Sequence, residues 1–215
     1  MAIILEEEEF ERIIPFVTWV LIAVNIAIFV YEMHNPWVIY RFGFVPKEFL
    51  EGHHIETLLT SLFIHTGILH LVINMYFLFV FCDDLENVYG HGFFVIFYIV
   101  CGVGALLFHT LVVPDYMVDS PVVGASGALC GAVAAYAIYF PKRKLTIISF
   151  FYCKIEARDF ALFYLILETI LVSIQYIDYV AHTAHIGGFI IGSILGYLYK
   201  KIVKPRIYRT PQKPW

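Results

Sequence analysis

Four polar side chains stand in runs where apolar ones would be expected. Ser126 lies in Gly124-Ala125-Ser126-Gly127, His185 in Ala184-His185-Ile186-Gly187-Gly188, and His70 four residues before Asn74. A serine within reach of a histidine is the minimum activated nucleophile for acyl transfer. The imidazole takes the hydroxyl proton and returns it to the leaving amine. A tetrahedral oxyanion then needs donors. His70 and Asn74, at i and i+4, share one face of a helix. They could donate from the side, beside the backbone N–H of Ser126. Asp119 and Asp178 lie near the right level, but neither is assigned as a third member. A Ser–His dyad is the simpler reading.

The elements that must bring these groups together are set by composition. The 215 residues are 60% hydrophobic and 15% charged, with a net charge of -4 and a mean hydropathy of +0.78. Soluble domains carry roughly 45–50% apolar and about 25% charged residues. The same numbers exclude a disordered chain, and the negative charge argues against a nucleic-acid partner. The expected class is an all-α membrane protein in a lipid bilayer. Six stretches approach the length of about 20 apolar residues that a span needs: 14–33, 58–82, 92–114, 124–140, 160–177 and 182–199.

Six spans place both ends of the chain on one side. Twelve of the fourteen lysines and arginines fall on that side, and only Arg41 and Lys47 fall on the other. The positive-inside rule therefore predicts cytoplasmic termini and a multi-pass protein of the cell membrane. The acidic run Glu6–Glu9 carries little weight in that rule, and no cleavable signal peptide is read before the first span. The division is an acidic N-terminus at 1–13, a membrane domain at 14–200 and a basic tail at 201–215.

Counting along spans two, four and six gives depth. Ser126 lies 15 residues before Pro141, and His185 lies 15 before Lys200. At 1.5 Å per residue both stand about 22 Å above the cytoplasmic edge. That is roughly 8 Å below the outer surface of a core about 30 Å thick. His70, 13 residues before Asp83, stands about 20 Å up by the same rise. One layer is expected to hold all three. Gly127, Gly131 and Ala135 recur every four residues in span four, as do Gly188, Gly192 and Gly196 in span six. Two such small-residue ridges allow close backbone approach in lipid.

Other polar groups are read more plainly. Asn25 and Gln175 are intramembrane hydrogen-bonding groups. Glu168 is expected to be neutral and to face the bundle, because lone intramembrane carboxylates are costly. His182 is expected at the interface or against a loop, and His65 near the outer mouth in a structural role. His53, His54, His91 and His109 are expected in solvent or at the interface. The cysteines at 82, 101, 130 and 153 show no CxxC spacing and are read as small packing residues. The first loop, 34–57, carries Trp37, Tyr40, Phe42, Phe44 and Phe49, which fits either an aromatic belt or a loop lying in the interface.

These motifs together resemble the rhomboid family of intramembrane serine proteases. The likeness rests on Gly124-Ala125-Ser126-Gly127 opening a short fourth span, His70-x-x-x-Asn74 in the second and Ala184-His185-Ile186-Gly187-Gly188 in the sixth. Phe42-Gly43-Phe44-Val45-Pro46, Glu86-x-x-x-Gly90 and Gln175 flank them. The resemblance covers about residues 13–200. It implies a six-helix rhomboid-like bundle whose site is a water-accessible depression open to the outside. It implies Ser126 as nucleophile, His185 as general base, and His70, Asn74 and the backbone amides of Gly124 and Ser126 as oxyanion donors. Substrates would be single-span membrane proteins cut near their outer ends, with no cofactor. Span five and the loop 178–181 would move to admit them. Two positions depart from the pattern. Glu56-Thr57 stand where members often carry Trp-Arg, and Cys130 stands where some place a tyrosine against the base.

Two other functions fit parts of this pattern. A rhomboid-like scaffold would bind transmembrane helices without cutting, but such forms lack the serine or histidine. A metal transporter could use His182-x-x-His185 and His70, although acids at several depths are missing. No HExxH is present to suggest a zinc protease.

Overall fold

The computed structural model describes residues 13–148, 152–174 and 181–203. Gln175, Asp178, the loop at 178–180, the acidic run at 6–9, Arg12 and the tail from 204 lie outside the described residues.

The first helix, α1 (Phe16–His34), is anchored at its start by a distant carboxylate. Glu86 is fully buried. It accepts the backbone N–H of Val17 at 2.9 Å, that of Thr18 at 2.8 Å and the Thr18 hydroxyl at 2.7 Å. Helix-start N–H groups lack intrahelical partners, and their positive dipole end suits an anion. The first loop then folds into three short helices, α2 (Val38–Phe42), α3 (Pro46–Leu50) and α4 (Thr57–Thr60). Its aromatics divide by direction. Phe44 is buried against Phe49, with ring centroids 5.5 Å apart, whereas Trp37 and Tyr40 are exposed. At the position lacking Trp-Arg, Glu56 pairs with Arg41 at 3.2 Å, and the Thr57 hydroxyl donates to His54 O at 2.6 Å. The Glu56 carboxyl is held below the usual carboxylate range by its own backbone N–H and by His54.

The second span is shifted relative to its expected bounds of 58–82. Residues 57–63 form short turns, and one continuous helix runs over Ile68–Tyr89. It comprises α5 (Ile68–Phe77), a π-helical stretch (Leu78–Cys82) and α6 (Asp83–Tyr89). Acids do not end it because they are partnered. Glu86 caps α1. Asp84 accepts from Arg143 at 2.5 Å and from the Tyr136 hydroxyl at 3.2 Å.

α7 (His91–Val112) follows, then α8 (Ser126–Tyr139), α9 (Ala157–Ser173) and α10 (His182–Ile202). Between α8 and α9 the basic loop, given no secondary structure from the sequence, is a two-stranded antiparallel hairpin. Strands β1 (Lys144–Ile148) and β2 (Tyr152–Glu156) pair with Lys144 opposite Glu156. The Leu-Thr-Ile-Ile run favours extended chain, so all-α holds for the bundle but not for this connection. Ala157 N–H donates to Arg143 O and Arg158 N–H to Pro141 O, tying the start of α9 to the hairpin base.

α8 is the axis of the molecule, with every residue from Gly127 to Tyr136 buried. A helix apolar on all sides belongs in the centre. The two small-residue ridges do face each other. A Cβ on Gly188 would fall on Gly127 O, and one on Gly192 would fall on Gly131 O, while one on Gly196 would lie 3.1 Å from Ala135 Cβ. Cys101 packs against Gly131, and Cys82, Cys101 and Cys130 are free and buried, as expected of packing residues. The outward faces are apolar: Trp19 and Val30 on α1, Leu69 and Val72 on α5, Leu162 and Phe163 on α9 are all exposed. Such continuous apolar surface suits lipid. By length and composition, α1, Ile68–Tyr89 and α7 can cross a membrane, and α8 is a shorter apolar helix.

Candidate active site

Ser126 is the first residue of α8, and His185 lies in the first turn of α10. The glycine contact between Gly127 and Gly188 is one residue from the serine and three from the histidine, so a close backbone approach falls beside the two side chains. Ser126 Oγ stands 2.8 Å from His185 Nε2. This is the distance at which a hydroxyl donates to an imidazole nitrogen.

The turn before α8 is shaped by Gly124, whose φ is +117°. Its missing side chain also matters. A Cβ there would lie 2.7 Å from His70 Nε2, so only glycine lets this ring close on the serine turn. The Gly124 N–H, expected as an oxyanion donor, donates to Ser61 O at 2.9 Å in this structure. Val122 and Phe44 exchange two backbone hydrogen bonds beside it, at 3.0 and 2.7 Å. These bonds fix the turn to the first loop.

His70 Nδ1 lies 3.2 Å from the Thr66 hydroxyl, leaving Nε2 toward Gly124. Asn74 donates Nδ2–H to His70 O at 2.7 Å, and its Oδ1 is buried without a partner among the described residues. His70, Asn74, Gly124, Ser126 and His185 all line one cavity of about 390 Å³, together with Cys130, Tyr164 and apolar side chains. His65 is buried edge-on to His70, with centroids 5.1 Å apart.

Behind His185 the structure adds a third side chain to the expected Ser–His pair. Glu168 Oε1 lies 3.0 Å from His185 Nδ1, and its Oε2 lies 2.7 Å from His182 Nδ1. All three residues are buried. Glu168 thus faces the bundle, as expected, but it is not the lone neutral acid expected: each of its oxygens meets an imidazole nitrogen, which favours the carboxylate. His182 is buried and holds this carboxylate. The Tyr164 hydroxyl, one turn before Glu168 on α9, is 3.5 Å from both His185 Nδ1 and Cys130 Sγ. The small Cys130 leaves room for it. The sequence carried a signal for this cluster: Tyr164 and Glu168 are four apart and His182 and His185 three apart, each pair on one helix face. Of the other two carboxylates near this level, Asp119 pairs with Lys47 at 3.0 Å, and Asp178 lies outside the described residues.

The remaining histidines divide. His53 and His54 are exposed, and His91 is half-exposed with Nδ1 2.5 Å from Glu86. His109 is buried rather than in solvent, and its Nδ1 meets the Thr183 hydroxyl at 2.5 Å.

Comparison with known proteins bears on residues 52–202, which match the model of the Rhomboid domain. The chain is 30% identical over 169 residues to RHOMBOID-like protein 6, mitochondrial, of Arabidopsis thaliana, covering 79% of this chain and 49% of that protein. It is 32% identical over 151 residues to Rhomboid protease AarA of Providencia stuartii, covering 65% and 54%. It is 42% identical over 78 residues to Inactive rhomboid protein 1 of Drosophila melanogaster, covering 36% and 5%. The chain spans about half the length of the first two relatives.

Proposed function

Given that this chain belongs to the rhomboid family, we propose that it is an intramembrane serine endopeptidase. Its substrates would be single-span membrane proteins cut near their outer ends. The reading includes six spans, both termini in the cytoplasm and residence in the cell membrane. The observation that carries it is the 2.8 Å contact of Ser126 Oγ with His185 Nε2, set in a cavity beside His70.

In this mechanism Ser126 Oγ attacks the scissile carbonyl carbon while His185 Nε2 takes the hydroxyl proton. The carbonyl oxygen becomes an oxyanion at the start of α8, where first-turn N–H groups lack intrahelical partners. The Ser126 N–H, His70 Nε2–H and Asn74 would donate to it. His185 then protonates the leaving amine, and the C–N bond breaks. Water attacks the acyl-enzyme with the same histidine as base. Substrate helices must unwind locally to present the bond, since helical backbone in lipid keeps its hydrogen bonds to itself.

The likeness to Inactive rhomboid protein 1 supports a second reading, a helix-binding scaffold. One experiment separates the two. A fluorophosphonate probe and a single-span reporter are offered to the purified protein with and without a strong chelator. The protease labels and cuts under both conditions, and Ser126→Ala and His185→Ala do neither. Undiminished turnover in Ser126→Ala sinks the hydrolytic reading. Absence of labelling in the wild type points to the scaffold.

A further inference from the structure

We propose that Glu168 is a positioning residue for His185, so that the hydrolytic pair here works as a Ser126–His185–Glu168 triad. This rests on the protease reading above. It follows from the proton inventory of the imidazole. To accept the Ser126 proton, Nε2 must carry a lone pair, so a neutral ring holds its one hydrogen on Nδ1. A buried Nδ1–H needs an acceptor. The Glu168 oxygen at 3.0 Å is in place for it, nearer than the Tyr164 hydroxyl at 3.5 Å.

The carboxylate is itself held. Its other oxygen faces His182 Nδ1 at 2.7 Å, so both oxygens have nitrogen partners. A carboxylate this deep among apolar helices persists where it is partnered. The Cys130 position fits the same scheme. A small side chain on α8 leaves the flank of His185 open, and α9 fills it with Tyr164, whose ring is tilted by 32° to the imidazole at 6.4 Å between centroids. Support for the base therefore comes from α9 rather than from the helix that carries the nucleophile.

During acylation the Ser126 proton moves to Nε2 as the Oγ–C bond forms. The resulting imidazolium keeps its Nδ1–H toward Glu168. The carboxylate stabilises that charge and takes no proton. The Nε2 proton then goes to the leaving amine as the C–N bond breaks, returning the ring to its starting tautomer.

The test uses the full chain in detergent or liposomes with Glu168→Gln, Glu168→Ala and Glu168→Asp. The glutamine variant is expected to lower kcat by roughly 10²–10⁴-fold while KM stays within about threefold, the pattern for a base held in the wrong tautomer. Aspartate, which keeps the charge, should restore part of the loss. A ¹⁵N-histidine NMR spectrum of the wild type should show His185, assigned by its absence in His185→Gln, as the single Nδ1–H tautomer. Glu168→Gln should mix the tautomers. An Nε2–H tautomer in the wild type overturns the proposal, and that measurement stands even if no Glu168 variant folds. Wild-type kcat in Glu168→Gln also overturns it, as does activity lost on chelation, which would make the cluster a metal site. Failure of the wild type to take the fluorophosphonate probe would instead remove the parent reading.

Discussion

The contact between α8 and α10 makes a graded prediction, because three glycines on one ridge meet three different surroundings. Gly188→Ala puts a methyl on Gly127 O, Gly192→Ala puts one on Gly131 O, and Gly196→Ala meets Ala135 Cβ at 3.1 Å. Alanine gains about 0.8–1.0 kcal/mol over glycine in a helix interior. Overpacking against a partner that cannot yield costs about 1–3 kcal/mol, occasionally more. At Gly196 the terms nearly cancel, so stability should stay within about 1 kcal/mol of wild type. At Gly188 the obstacle is backbone, and the net loss should be about 2 kcal/mol or more. Relief there requires the helices to part by about 1 Å, one turn from His185, which is enough to cost about 10²-fold in rate. Gly192 lies seven residues from His185, about 10 Å along the axis. It should lose stability like Gly188 but less activity. Circular-dichroism melting and cleavage of a single-span reporter measure the two quantities on the same samples. Equal activity across all three variants, or a Gly188→Ala protein with wild-type melting and turnover, would refute the claim that this ridge sets the serine–histidine distance.

Gly124→Ala should slow cleavage by about 10²–10³-fold, the cost of one oxyanion donor, because its methyl would displace His70 and its φ is +117°. Normal turnover with this variant would show that His70 need not close on the serine turn. The Asp84–Arg143 pair is asymmetric, with side chains 5% and 20% exposed. Arg143→Met leaves a buried carboxylate without its guanidinium and should cost about 3–5 kcal/mol. Asp84→Leu should cost less, and the double variant should recover most of the loss. A chemical-denaturation double-mutant cycle showing simple additivity would contradict the coupling.

The layout of the site is legible where local motif and counting agree. Ser126, His70 and His185 fall together because each lies a similar number of residues from a charged boundary, and the glycine ridges could be read as a contact surface. Where sequence and structure part, the reason is that charge does not imply exposure. Asp83 marked the end of the second span, yet Asp84 and Glu86 continue the helix because Arg143, Tyr136 and the start of α1 meet them. His109 sits in a helix apolar all round, so no periodicity reveals which side faces Thr183. The link from Glu168 to His185 joins residues on separate helices. Counting placed the carboxylate near mid-bilayer and left its partners unassigned, because depth is one coordinate and contact needs three.

The hairpin between α8 and α9 gives α9 a fulcrum. Its first two N–H groups are fastened to Arg143 and Pro141, while Glu168 lies eleven residues further along, about 16 Å out on the arm. A swing of about 10° about that fastened end would carry Glu168 through about 3 Å and the nearer Tyr164 through less. A displacement at the far end of α9 would therefore part Glu168 from the His185 imidazole before it disturbed Ser126, so the triad's third member rides on the most easily levered arm of the molecule.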